Sequence, residues 1–555
     1  MPATEEQRRL EAEELANRQT CKILLNCYIR ERCCEHPALF NAASGGRAFA
    51  VDFPASGVRL TGRLSMYAAT GEHEYGHFDG REPTSAELAG WIVAELRRED
   101  ASVTDEQAAD FMDKVAGSCR NMALFAGRAK PARDFDYLSS EQSLLFGHPF
   151  HPFPKNMSGF TAADVSRFAP ELGNGFPLCY MAVRGKLYRE EWLSGRRTVE
   201  PQGSVVKRAR EKLGDAADEY GLLPVHPWQY EHVLGIPAVE AAIARGDVVP
   251  LGGCGPMAYP TSSVRTVYVP DMRCNIKLPL DIQITNLRRN NTREQMRRTM
   301  DAAAYVRDSG CFGREPHTRI ASEEGVCGCA FGDESLEALL TVAYRPVLFD
   351  TKTTYVLSSL AEAPAGEGPS RLSQVMDRRR AEPWFRRYLD ISLLPLVRAA
   401  EEKGIHFEAH LQNALLTVRD GMPETFIVRD LEGVSVDRDL AARGANPTGP
   451  LFYDKAQARA RTDYYLIVNH LGSFIHAIAR ETGLEEMGLW SVVRESLARE
   501  YARTGNAYAR HLLTADVLYA KKNMASCLAA HGESPSYVPL KNLLKSKGSE
   551  CHERD

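Results

Sequence analysis

Apolar residues recur at helical spacing from Glu5 to Arg32. The period then shortens to two over Val58-Arg-Leu-Thr-Gly-Arg-Leu-Ser-Met66, as in a half-buried strand. Thr84-x-x-Glu87 and Thr104-x-x-Gln107 carry the capping-box pattern, in which a hydroxyl and a side-chain acceptor satisfy each other's backbone N–H, and predict two more helices. Ser139-x-x-Gln142 predicts another. From about residue 145 to 345, prolines, glycines and short β-branched runs (Ser204-Val-Val, Val264 to Val269, Asn275 to Leu280) predict a β-rich middle, with helices at 161–168, 208–220 and 293–307. Helical periodicity returns from 346. Pro383 to Lys403 reads as one helix stopped by Gly404, and Ala414 to Val418 with Thr425 to Val428 as a hairpin with Asp-Gly at its tip. Glu362 to Ser370 reads as an exposed loop, and Lys521-Lys522 as part of a helical run that either reaches an active site or, the preferred reading, forms a solvated face. The pattern holds no internal repeat and divides at about 1–140, 141–345 and 346–555.

A length of 555 residues exceeds what one core supports. With 44% hydrophobic and 25% charged residues the composition is that of a globular protein, and a net charge of −5 argues against nucleic acid as the main partner. No apolar run approaches the roughly 18–20 residues of a membrane span, and no secretory h-region follows the N-terminus, so a cytoplasmic protein is expected. Cys21, Cys27, Cys33 and Cys34 fall in one helical stretch, and Cys311, Cys327 and Cys329 group with His317. Neither group has a paired Cys-x2-Cys spacing, so reduced, apolar cysteines are expected rather than zinc.

Glu408-Ala-His410-Leu-Gln412-Asn413, with Arg429-Asp430 at the far end of the hairpin, gathers a carboxylate, an imidazole and two amides on one turn. An Asn and an Asp presented this way suit Mg²⁺ and a nucleotide, because hard cations take oxygen ligands. Gly147-His148-Pro-Phe-His151-Pro-Phe-Pro-Lys155 is held extended by its prolines and presents two imidazoles and a cation. In Ser262-Ser263-Val-Arg265-Thr266, Arg265 is expected to face the same way as Lys277 across paired strands, as a site for a polyanion. His226-Pro-Trp-Gln229 is compact and reads as core or rim.

In order and spacing these segments, together with Thr285-Asn286, resemble the synthetases that build siderophores without a nonribosomal peptide synthetase, the IucA/IucC (aerobactin synthetase) family. The resemblance spans roughly residues 145 to 430. It implies an α+β, multi-domain cupped hand: a helical thumb (1–140), β-rich fingers (141–345) and a helix-rich palm (346–555) of distant kinase-like character. It implies attack of a carboxylate, commonly of citrate, on the α-phosphorus of ATP. An amine or alcohol then displaces AMP. By motif position, His148, His151, Lys155, Arg265, Lys277 and His410 would be catalytic. Ser263, Arg265, Thr266, Lys277, Glu408, Gln412, Asn413 and Asp430 would surround ATP, with Glu408 and Asp430 on Mg²⁺. Thr285, Arg289 and His410 would hold the substrate carboxylates, Arg288 being the adjacent alternative. Homodimers are common in that family.

The chain departs from the family pattern at Met157, where a second basic residue is usual, and in the tail, where Ser526-Cys527-Leu528 follows Lys521 and Asn542-Leu543-Leu544 replaces Asn-Pro-Leu. Three alternatives remain open on sequence: a later-step synthetase using a citryl monoamide or another dicarboxylate, a kinase-like phosphotransferase, and a polycarboxylate carrier without activity.

Overall fold

In the computed structural model the first helix, Glu5–Tyr28, opens on a Thr4 capping box and runs into a π-helical turn, Ile29–Cys33. Residues 4–33, 40–42, 47–128, 135–366, 368–441, 449–529 and 536–545 are described; Cys34 and the side chain of Cys33 lie outside them. The boxes at Thr84 and Thr104 open Ser85–Glu99 and Asp105–Arg128 with both reciprocal bonds in place. Beside these helices lies an antiparallel four-stranded meander whose third strand is Val58–Met66.

Seven antiparallel strands form the largest sheet, in the order Phe176–Pro177, Met257–Pro260, Thr266–Val269, Cys274–Lys277, Val342–Pro346, Gly325–Cys329 and Tyr188–Trp192. The hairpin Ala414–Arg419/Met422–Arg429 turns on Asp420 and Gly421, both at positive φ (51° and 70°) as a two-residue turn requires. Its second strand pairs in parallel with Thr318–Ala321. Buried apolar side chains gather into separate clusters. One lies among the N-terminal helices and meander and takes in Met524, Cys527 and Leu528 from the far end of the chain. A second lies behind the large sheet, and a third packs the C-terminal helices on the hairpin. Each fully buried Leu, Ile or Phe contributes about 1.5–3 kcal/mol.

Several elements differ from the sequence pattern for identifiable reasons. Ser204-Val-Val lies in a helix, Gly203–Leu213, because Val205 and Ala209 sit four apart on its buried face; beyond Leu213 the run tightens into a 3-10 helix, Gly214–Glu219, that ends at Tyr220. Asp136, not Ser139, caps the helix Tyr137–Glu141, with Ser139 at its third position. The stretch from 383 to 403 is two helices, Ala381–Ile391 and Leu393–Lys403, since Pro395 has no N–H for the Ile391 carbonyl; Thr318 Oγ1 donates to that carbonyl instead (2.7 Å). Gly404 takes the left-handed cap as expected (φ 63°). Lys521 ends a strand, Val517–Lys521, and Lys522 precedes a short helix, Asn523–Leu528, so neither rides a solvated helix face. The loop after Glu362 is exposed at its tip, but Glu362 itself turns inward and accepts from the N–H groups of Leu145, Phe146 and Gly147. Among the described residues the cysteines are free, and no group of three or more His, Cys, Asp or Glu is arranged to hold a metal. No described helix is long and apolar enough to cross a membrane.

Candidate active site

Thr266 pairs with Lys277 across neighbouring strands, which brings the expected cations to one end of the large sheet. The strand begins only at Thr266 because Val264 sits at φ 66°, a conformation β-branched residues avoid. Two bonds hold it there: Val264 N–H to the Thr261 carbonyl (2.8 Å) and Thr266 N–H to Ser263 Oγ (3.2 Å). Arg265 is thereby buried, one nitrogen donating to the Arg289 and Asn290 carbonyls (3.2 and 3.1 Å) and to Asn291 Oδ1 (2.6 Å). Burial pushes its guanidinium down, while the Glu432 and Asp430 charges act to raise it. Lys277 Nζ lies 3.1 Å from Asp430 and 2.8 Å from Glu432. Burial would lower this ammonium too, but the two carboxylates outweigh it and raise it.

Asp430 leaves the hairpin at φ 65°, which a short Asp tolerates. Its turn is fixed by Glu323, which accepts from Leu431 N–H (3.3 Å) and pairs with Arg345; Arg345 stands 3.9 Å from Asp430. Burial pushes the Asp430 carboxyl up, yet Lys277, Arg345 and Arg265 hold it well below the usual range. Glu408 lies across the same turn, where a Cβ on Gly433 would fall 2.1 Å from Glu408 Oε2. Around Glu408 stand Arg461 (3.6 Å), His410 Nε2 (3.8 Å) and the Tyr465 hydroxyl. Asn413 Nδ2 donates to the Glu408 carbonyl (3.2 Å), and Gln412 Nε2 to Ser262 Oγ (3.3 Å). A buried Glu141–Arg429 ion pair fastens the parts together: Glu141 accepts from Ser262 N–H and Oγ (3.2 and 2.7 Å), and Arg429 donates to the Gln412 carbonyl (2.8 Å).

The His-Pro dipeptides share one geometry. Phe150 N–H donates to His148 Nδ1 (3.0 Å), Phe153 N–H to His151 Nδ1 (3.3 Å) and Trp228 N–H to His226 Nδ1 (3.1 Å). Asn413 N–H does the same for His410 (3.3 Å). A ring nitrogen that accepts carries no proton, so the proton of each neutral imidazole sits on Nε2; that atom faces the Asn469 side-chain amide (3.2 Å) in His148 and Cys527 Sγ (3.7 Å) in His151. Burial pushes His148 well below its ordinary value and His151 and His226 down to about 3; it also lowers His410, against the pull of Glu408 and Asp430. All four are neutral N–H donors at neutral pH. His226 is enclosed by Phe168 and Phe176 and serves the core, as its sequence context suggested.

Lys155 departs from expectation. It is buried, donates to the Leu144 carbonyl and pairs with Glu171 at 2.6 Å, because the loop turns its side chain inward. Arg289 donates to Thr285 Oγ1 (2.8 Å), whereas Arg288 turns outward onto Asp281, so the residue at family spacing is the one that meets Thr285. Lys521 donates to the Tyr465 hydroxyl, and its charge depresses both His148 and His410.

The stretch 136–345 matches the model of the IucA / IucC family, and 382–536 matches one described as ferric iron reductase FhuF-like transporter. Over 89% of its length the chain is 31% identical to L-2,3-diaminopropanoate–citrate ligase of Staphylococcus aureus, 90% of which is covered. The chain belongs to the IucA/IucC family. It is also 27% identical to spermidine-citrate ligase of Bacillus anthracis, over 92% of this chain and 94% of that one. The structure of ATP-bound aerobactin synthetase IucA from Klebsiella pneumoniae superposes with a TM-score of 0.82, covering 95% of this chain and 100% of that one at 23% identity. The mixed helix-and-sheet fold is therefore that of the family.

Sequence reasoning missed Glu141, Glu323, Arg345, Glu432, Arg461 and Tyr465. Glu432 stood two residues from Asp430 and was within reach of the same reading. The others come from remote elements and carry no local signal. Tyr465 lies in a π-helical stretch, Asp463–Leu471, of a kind frequent at functional sites.

Proposed function

We propose that this chain is an ATP-dependent synthetase of siderophore biosynthesis that activates a citrate carboxylate and joins it to an amine or alcohol. The observation that carries the reading is the convergence of Arg265 and Lys277 on Asp430 and Glu432, beside neutral imidazole donors. The relatives' names, L-2,3-diaminopropanoate–citrate and spermidine-citrate ligase, and the ATP-bound neighbour support it.

In the first step a carboxylate oxygen attacks the α-phosphorus, the bond to the β-phosphate oxygen breaks, and pyrophosphate leaves. Ser263, Arg265, Thr266 and Lys277 stabilise the charge gathered in that transition state. Arg265 grips phosphate oxygens with a fork and Lys277 acts as a point charge. His148, His151 and His410 donate Nε2–H to substrate oxygens without adding charge, and Thr285 with Arg289 orients the other carboxylates. In the second step the nucleophile attacks the acyl carbon and the C–O bond to AMP breaks. Gln412 and Asn413 hold the nucleotide. Glu408 and Asp430, on the two segments that flank the hairpin, would hold Mg²⁺, with the remaining ligands from the triphosphate, since hard cations take oxygen ligands. That ion would screen phosphate charge. We read 1–140, 141–345 and 346–555 as thumb, fingers and a distantly kinase-like palm. Use of ATP fits a cytoplasmic enzyme.

Incubation with citrate, ATP, Mg²⁺ and hydroxylamine is expected to give a citryl hydroxamate with AMP and pyrophosphate. ADP and phosphate in their place would point to the phosphotransferase alternative and overturn the proposal.

A further inference from the structure

Helix Glu5–Tyr28 lies far in sequence from the cleft residues described above, yet its π-helical extension reaches two walls of the cleft. Arg30 stacks its guanidinium over Phe150 at 3.0 Å, within the His148-Pro-Phe150 turn, and donates to the Thr70 carbonyl. The next residue, Glu31, is buried, and its two oxygens accept from Met524 N–H (2.8 Å) and Ala525 N–H (3.1 Å) at the start of the helix Asn523–Leu528. Adjacent residues in a widened π turn thus grip the imidazole loop and the C-terminal segment.

That segment touches the cleft throughout. Lys521 donates to Tyr465, whose hydroxyl meets Glu408. Asn523 Nδ2 donates to the Phe150 carbonyl (2.8 Å), and Cys527 Sγ stands 3.7 Å from His151 Nε2. We propose that Glu31 is a positioning residue that holds the segment Lys521–Leu528 across the organic-substrate end of the cleft, away from the phosphate-facing cations. This rests on the reading of the cleft as a carboxylate-activating site. A buried carboxylate is costly unless its oxygens are used. Here burial pushes Glu31 up to about 7, against the pull of the two amide donors and of the Lys522 and Arg30 charges. Cys27 on its own helix, Cys527 and Tyr464 are the other titratable groups whose charge couples to it.

The test uses the full chain and two variants, Glu31→Gln, which keeps the shape and one acceptor, and Asn523→Ala, which cuts the same segment from the Phe150 carbonyl. With hydroxylamine trapping as the assay, each is expected to raise KM for citrate about five- to ten-fold while KM for ATP stays within about two-fold. Hydrogen–deuterium exchange across 523–528 should speed up in both variants, with the core of the large sheet unchanged. An equal rise for citrate and ATP, no change in either, or unaltered exchange across 523–528 would each sink the proposal. If the unmodified chain made no hydroxamate, the reading of the site would fail instead; faster exchange in the variants would still uphold the Glu31 tie.

Discussion

Arg265 and Lys277 meet the cleft as charges, whereas His148, His151 and His410 meet it as neutral donors. The two sets differ in what a ligand must displace. At the end proposed for phosphate, Lys277 is already held by Asp430 and Glu432, so an arriving polyanion would exchange one set of ionic partners for another. At the imidazole end nothing ionic is broken, because backbone N–H groups fix the tautomers and burial removes the charge. If the cleft is the proposed carboxylate-activating site, the contrast teaches that two anions need not be met by cations throughout. On that reading charge stands where the transition state would gather it, and neutral N–H groups suffice where oxygens would only need orienting.

Breaking the frame that both ends share should have the largest effect. Glu141→Gln leaves Arg429 buried without its carboxylate, and a stability loss of about 3–5 kcal/mol is expected by urea unfolding. Removing the charged end comes next. Arg265→Gln should lower kcat for hydroxamate formation about 100- to 1,000-fold, with a smaller stability loss than Glu141→Gln because the acceptors left behind are uncharged carbonyl and amide oxygens. Removing one neutral donor should do less: His410→Ala is expected to raise KM for citrate about ten-fold and leave KM for ATP nearly unchanged. An equal loss for both would erase the distinction between the ends. The smallest effect expected is none at all. Because the folded-state values of His148 and His151 lie well below the ordinary one, these rings stay neutral as the pH falls through about 6.5, and their Cε1 proton resonances should not move between about pH 8 and 6. A titration centred near the ordinary histidine value would contradict the neutral-donor reading.

Much of the local structure was legible in the sequence because its causes are local. Capping boxes, the Asp-Gly hairpin and the alternation of Val58–Met66 each depend on a few neighbouring residues. The Ser263–Thr266 and Glu408–Asn413 motifs were legible for the same reason. What stayed hidden depends on remote partners. Lys155 reads as a presented cation until Glu171 and the Leu144 carbonyl are found beneath it. The helix from 383 to 403 reads as continuous until Thr318 is seen donating to the carbonyl that Pro395 leaves free. Lys521 reads as a surface lysine until its strand delivers it to Tyr465. Gly433 has no sequence signature at all, and its role is visible only in how closely Glu408 crosses it.

The central claim, attack of a substrate carboxylate on the α-phosphorus at the Arg265–Lys277 end, is tested most directly by oxygen transfer. Citrate labelled with ¹⁸O in its carboxylates is incubated with the enzyme, ATP, Mg²⁺ and an amine, and the nucleotide and phosphate products are analysed by mass spectrometry. The account predicts a single ¹⁸O in AMP and unlabelled pyrophosphate. Label in inorganic phosphate, with ADP as the nucleotide product, would contradict it.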